Sequence, residues 1–145
     1  SNNLSEATRK LVYEIFKDYN LIIIDSNEKE LKNIFSSTIK SELINNLIYK
    51  NSKDSISFLK ENNYKVQVNP REINLFYLSN NYRNRIISNN NGYSTDDMLY
   101  SWTESEIIDE VNINPENFSP NVLLRPLYQE SILPNLCYIG GGGGI

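Results

Sequence analysis

Asn121, Arg125 and Gln129 stand four residues apart in the stretch 118–130, so a helix there sets all three along one stripe. A guanidinium flanked by two amides can grip a carboxylate or an amide, because its forked donors match paired oxygens. Val122, Leu123 and Leu127 form an apolar stripe beside them, and Pro126 inside the pattern predicts a kink that bares a carbonyl. The plain alternative is an amphipathic helix whose polar side meets water. A second feature follows at once. The apolar run 136–139, which contains Tyr138 and ends in Ile139, leads into Gly140, Gly141, Gly142 and Gly143, which predicts bare backbone at the carboxyl edge of a buried strand. Backbone N–H groups there can approach a substrate carbonyl or a phosphate. No Lys-Ser/Thr pair follows, so this is not a Walker loop, and the spacing is not a dinucleotide fingerprint. A flexible linker is the competing reading.

Ser119-Pro120 has the form of an N-cap followed by proline at the first helical position, which predicts a helix over 121–131, with Pro134 beyond its end. Upstream, apolar residues from Leu4 to Tyr19 have one-sided helical spacing, with Asn3 or Ser5 as cap, and such a helix needs a sheet to pack on. Leu21, Ile22, Ile23 and Ile24 read as a buried parallel strand, expected beside 136–139 in one sheet. Asn27 and Glu30 have capping-box spacing, opening a helix through Leu31, Ile34 and Phe35; a second helical stretch runs through Ile39, Leu43 and Leu47 to Leu59. Short strand-like runs at 65–68, 73–79 and 82–88 surround Asn69-Pro70 and a tight turn at Asn80-Asn81, predicting an antiparallel meander. Thr95 and Thr103 can cap short helices over 96–100 and 104–111. The expected fold is α/β: part of a Rossmann-like parallel sheet with an inserted small antiparallel meander. Residues 1–63 supply a helix-strand-helix part of the core, 64–94 the inserted meander, and 95–145 helices, the SPNVLLRP segment and the glycine-rich strand end.

With 14 basic and 18 acidic residues, the net charge of -4 lacks the positive field that a phosphate backbone requires. Arg83 and Arg85 beside Tyr77 and Tyr82 make only a weak case for an RNA-stacking surface. Neither a nucleic-acid partner nor a membrane partner is expected, since no run reaches membrane-spanning length. There is no histidine, which removes imidazole bases and mixed Cys/His zinc sites from this chain. Cys137 is the single cysteine, expected in the core, and it fits a reducing cytoplasm. Glu104, Glu106, Asp109 and Glu110 do not have calcium-loop spacing and read as a solvated helix face.

Residues 118–129 (FSPNVLLRPLYQ), then Leu133-Pro134, then Tyr138-Ile139 and the glycines resemble the bacillithiol-biosynthesis cysteine-adding enzymes of the BshC family, whose pattern is SPNV-L-RP, Q, LP and Y-GG-x-G-E-I. Thr8 to Val12 with Phe16, the run Asn20 to Asp25, and Glu30-Leu31-Lys32 are similar to that family as well. The resemblance implies a ligase joining L-cysteine to the amino group of glucosaminyl-malate, with an ATP-like nucleotide activating the cysteine carboxylate, in a parent protein that forms a homodimer. It implies a substrate site lined by Asn121, Arg125, Gln129, Tyr138, Gly140, Gly141, Gly142 and Gly143. One departure is that the family's acidic residue after the glycines falls on Gly144 here. The chain is expected to be an internal piece whose partner is the remainder of its own protein, and to be inactive alone. A non-catalytic α/β interaction module is the alternative.

Overall fold

The computed structural model describes residues 3–137, a mixed α/β arrangement of helices and a five-stranded antiparallel sheet. Helix α1 (Leu4–Phe16) is capped by the Asn3 side chain, which accepts from the Glu6 N–H at 2.8 Å. Short helix α2 (Lys29–Ile34) passes through Phe35 into α3 (Ser36–Asn45), and left-handed Asn46 then turns the chain into α4 (Leu47–Glu61). Strands β1 (Leu75–Ser79), β2 (Tyr82–Asn89), β3 (Gly92–Thr95) and β4 (Ser101–Trp102) follow in order. Helix α5 (Glu104–Ile113) leads to β5 (Phe118–Pro120), which returns to the far edge of the sheet beside β1 and feeds α6 (Arg125–Ile132).

The β1–β2 hairpin turns at Asn80-Asn81 as the spacing predicts, with Asn81 at φ 60 and Ser79 opposite Tyr82. Thr103 and Glu106 close a full capping box at the start of α5. At the next hairpin, Gly92 lies at φ +131, and a Cβ there would stand 2.3 Å from the Trp102 carbonyl oxygen. Both facts exclude a side chain. Gly92→Ala should therefore lose roughly 2 to 3 kcal/mol, read as a lowered urea midpoint with an unchanged slope. A neutral result would mean that the β2–β3 turn relaxes freely.

Alternation along β1 sends Leu75 and Tyr77 into the core, where they meet Phe35, Ile39 and Leu43 from the helical layer and Ile107 and Val111 from α5. Phe118 of β5 and Leu124 are fully buried in the same cluster, and the Phe118 ring meets Tyr77 edge-on at 5.7 Å.

Several sequence expectations fail for identifiable reasons. The sheet is antiparallel throughout, and residues 21–24 are in no ladder among the described residues. The run is extended but carries no partner strand, and Ile22 is 83 % exposed. Leu136 and Cys137 are likewise unpaired, and residues 138–139 lie outside the described residues, so the expected parallel neighbours are not found. Helix α1 has no buried residue, so the sheet it was expected to cover is absent among the described residues. Residues 65–68 are irregular because no neighbouring strand offers them a ladder. Residues 96–100 form the β3–β4 connection and not a helix: Met98 takes φ 62, and Asp97 Oδ1 accepts from Tyr82, Thr95 and the Leu99 N–H. The Asn27 capping box is not formed, since Glu28 occupies the cap of α2 without a side-chain bond. Cys137 is exposed and not in the core.

Candidate functional site

The start of α6 is set differently from the sequence pattern. Ser119 and Pro120 belong to β5, opposite Phe76 and Leu75, where an edge strand tolerates the donor that proline lacks. The helix begins at Arg125, so Pro126 sits in its first turn, where a missing N–H costs no hydrogen bond and no kink is required. Asn121 is the anchor of this turn. Its Oδ1 accepts from the Leu123 and Leu124 N–H groups at 2.9 and 3.1 Å, its backbone N–H donates to the Asn74 carbonyl at 2.9 Å, and its Nδ2 donates to Asn74 Oδ1 at 2.8 Å. Asn74 is buried and donates in turn to Glu42 Oε1 from both its backbone N and its Nδ2, each at 2.8 Å, while Glu42 Oε2 accepts from the Ile48 N–H. A buried polar chain thus runs from α3 through the entry to β1 and fixes where α6 begins.

Arg125 and Gln129 lie one turn apart, with the Arg125 guanidinium donating to Gln129 Oε1 at 3.3 Å. Both line a cavity of about 330 Å³ between α6, β5 and the segment that enters α2. Ile24, Ser26, Asn27, Lys32, Ser119, Pro120, Tyr128, Ile132 and Leu133 complete its wall. The structure therefore brings two of the expected residues together and separates the third, since Asn121 holds the helix start and does not line the cavity. Tyr138 and Gly140 to Gly143 lie outside the described residues, as does Gly144.

Sequence reasoning missed Lys32 as a site residue. It is only 3 % exposed, its Nζ donates to the Phe118 carbonyl at 2.6 Å and lies 5.2 Å from the centre of the Tyr128 ring, and burial holds its ammonium down to about 8. The only signal available was a lysine one residue after Leu31, where the helical period of Leu31, Ile34 and Phe35 begins to turn inward. Tyr128 closes the other wall, donating to the Ser26 carbonyl at 2.7 Å; burial, then the charge of Asp25, raises its hydroxyl. Because the unfolded chain returns Lys32 to 10.5 while the folded chain holds it near 8, the folded state binds fewer protons between those values. The penalty of the charged form is complete below about 8, and the stability this residue contributes rises as pH climbs from there toward 10.5. The thermal midpoint of the wild type should consequently gain on that of Lys32→Met across this window. A constant gap would show that Lys32 titrates normally.

The other candidates are engaged within the fold. Arg83 stacks on Phe76 at 3.7 Å and Arg85 pairs with Asp96, so neither arginine presents a free stacking surface. Glu106 is the capping-box acid, and Glu110 accepts from the Tyr77 hydroxyl at 2.8 Å, whose proton is held more tightly by burial and by that carboxylate. No group of three or more His, Cys, Asp or Glu that could hold a metal occurs among the described residues, and no described helix is long and apolar enough to cross a membrane.

Residues 1–145 match the family model described as "Bacillithiol biosynthesis BshC, N-terminal Rossmann-like domain". The chain is 50% identical over 144 residues to a Flavobacterium johnsoniae protein named "Putative cysteine ligase BshC", covering 99% of this chain and 27% of that protein. A protein of the same name from Cytophaga hutchinsonii is 39% identical over 145 residues, covering 100% of this chain and 28% of the relative; one from Bacillus cereus is 30% identical over 152, covering 99% and 27%. The chain thus spans about a quarter of the length of the curated relatives it matches.

Proposed function

The chain belongs to the bacillithiol-biosynthesis BshC family, within its N-terminal Rossmann-like domain, and on that premise we propose that it forms part of a ligase that adds L-cysteine to the amino group of glucosaminyl-malate. The observation that carries this reading is the cavity lined by Arg125 and Gln129, both on the family-like stretch 118–129, together with Lys32 and with Ser119 and Pro120 of β5. Arg125 grips a substrate carboxylate, Gln129 orients it, and Asn121 acts one step removed by holding the first turn of α6. The glycines at 140–143 belong to the same reading through their place in the sequence: their N–H groups would face the activated carbonyl or a phosphate. Formation of the amide requires the cysteine carboxyl to be activated, which an ATP-like nucleotide bound by the full-length protein supplies. The homodimer and the cytoplasmic setting belong to the same proposal.

The runner-up, a non-catalytic interaction module, draws on the apolar side chains that α1 and the following segment leave in solvent, Leu4, Leu11, Ile15 and Ile22 among them. A domain of a larger ligase exposes such a face equally when taken apart from its neighbours. The deciding experiment incubates the full-length protein with L-cysteine, glucosaminyl-malate and each nucleoside triphosphate, with mass spectrometry of the products. A cysteinyl amide formed with nucleotide cleavage supports the ligase. Unchanged substrates with every nucleotide would leave the interaction module.

A further inference from the structure

Lys32 is a buried cation without a matching acid. The ion pairs found among the described residues are Arg9–Glu28, Lys10–Glu6, Lys17–Glu14, Lys29–Glu116 and Arg85–Asp96, and none includes Lys32. Its acceptor there is the Phe118 carbonyl, which uses one of three ammonium donors. Enclosing an ammonium without a counter-charge is unfavourable, and a methionine would fill the same space with less desolvation. The surroundings sharpen the imbalance. In a chain of net charge -4, the cavity that Lys32 lines also holds Arg125 and has no carboxylate among the described residues of its wall. The other polar side chains there, Asn27, Ser119, Tyr128 and Gln129, add neutral hydrogen-bonding groups. Asp25, whose charge acts on Tyr128, is held by Ser5 and by the Asn27 N–H and is not part of the wall.

We propose that this cavity takes an oxyanion of the substrate, a carboxylate or a phosphoryl group, clasped between Lys32 in its floor and Arg125 at its rim. The proposal rests on the ligase reading for which molecule carries the anion, while its charge is set by the wall. Arg125 contributes a forked donor pair, and Lys32 contributes a point charge whose field is strong because water is excluded around it. The anion supplies the counter-charge that the fold withholds, so binding and protonation of Lys32 reinforce one another.

The test is calorimetric titration of the full-length protein with L-malate and, separately, inorganic phosphate, from about pH 6.5 to about pH 9.5. Malate keeps a constant charge across that range, so its affinity should fall as pH passes the value of about 8 at which Lys32 loses its proton. Lys32→Met should weaken binding at neutral pH by about tenfold or more and abolish this fall; Arg125→Ala, at an exposed position, should weaken binding comparably while keeping it. Tighter binding of malate assigns a carboxylate, and tighter binding of phosphate a phosphoryl group. Should Lys32→Met fail to fold, the wild-type fall in malate affinity near pH 8 together with weakened binding by Arg125→Ala supports the site, and a flat profile overturns it. Absence of binding by both anions at neutral pH, or wild-type affinity in both variants, overturns the site. The product assay on the same preparation keeps the two readings apart. A protein that makes the amide yet binds neither anion loses only this site, and one that binds an anion through Lys32 yet makes no amide loses only the ligase assignment.

Discussion

Arg125→Lys in the full-length protein should lose most of the kcat/KM that Arg125→Ala loses, with thermal stability nearly unchanged in both. The expected loss is roughly 2 to 4 kcal/mol of transition-state binding, a factor of tens to about a thousand. Lysine keeps the charge but cannot present two coplanar donors to one carboxylate, so charge alone does not rescue the function. The structure explains why stability should be spared. Arg125 is exposed, makes no ion pair among the described residues, and has one long side-chain bond to Gln129 at 3.3 Å, the kind of contact whose loss is barely measurable. If instead both variants lowered the melting temperature while the remaining folded enzyme worked normally, Arg125 would be a structural residue and would leave the site.

The second large effect is expected at Asn74, which does not line the cavity. Its side chain makes all four hydrogen bonds open to an amide: Oδ1 accepts from the Arg71 and Asn121 groups at 3.1 and 2.8 Å, and Nδ2 donates to Glu42 and to the Arg71 carbonyl at 2.8 Å each. Asn74→Ala strips one donor from the buried Glu42 carboxylate and leaves Asn121 Nδ2 without its partner, for a loss of roughly 3 to 5 kcal/mol. Asn74→Asp keeps the shape but sets a second carboxylate against Glu42. The charge this introduces beside Glu42 is unfavourable, so the deficit relative to wild type should grow as the introduced acid ionises, from small in acid solution to its full size toward about pH 7. Denaturation curves at several pH values measure this directly. A pH-independent deficit would mean that the Glu42–Asn74 contact is not maintained. Activity per folded molecule should fall as well, since Asn121, which loses its Asn74 partner, positions the first turn of α6 on which Arg125 stands.

Local patterns determined much of what the structure contains. Asn3 caps α1, Thr103 and Glu106 close their box, and Asn81 turns the first hairpin, each because a side chain acts on backbone within a few residues of itself. The family-like stretch also located Arg125 and Gln129 on one helical face, since that depends only on a spacing of four. The same local logic misplaced the helix start. Ser119-Pro120 has the form of a cap, yet pairing with β1 claims it as strand, and Asn121 becomes the anchor through Asn74, a residue 47 positions away. Lys32 was unreadable for the same reason. Its place beside Leu31 is a faint local signal that cannot by itself mark it as buried; Phe118, 86 residues later, and Tyr128 of α6 enclose it. The run 21–24 shows the converse, an apolar strand pattern with no ladder among the described residues, because a strand is completed only by the edge of another. Caps, turns and helical faces are short-range interactions and are written locally, whereas strand pairing and the burial of a charge depend on which distant segments meet, and only the tertiary structure decides that.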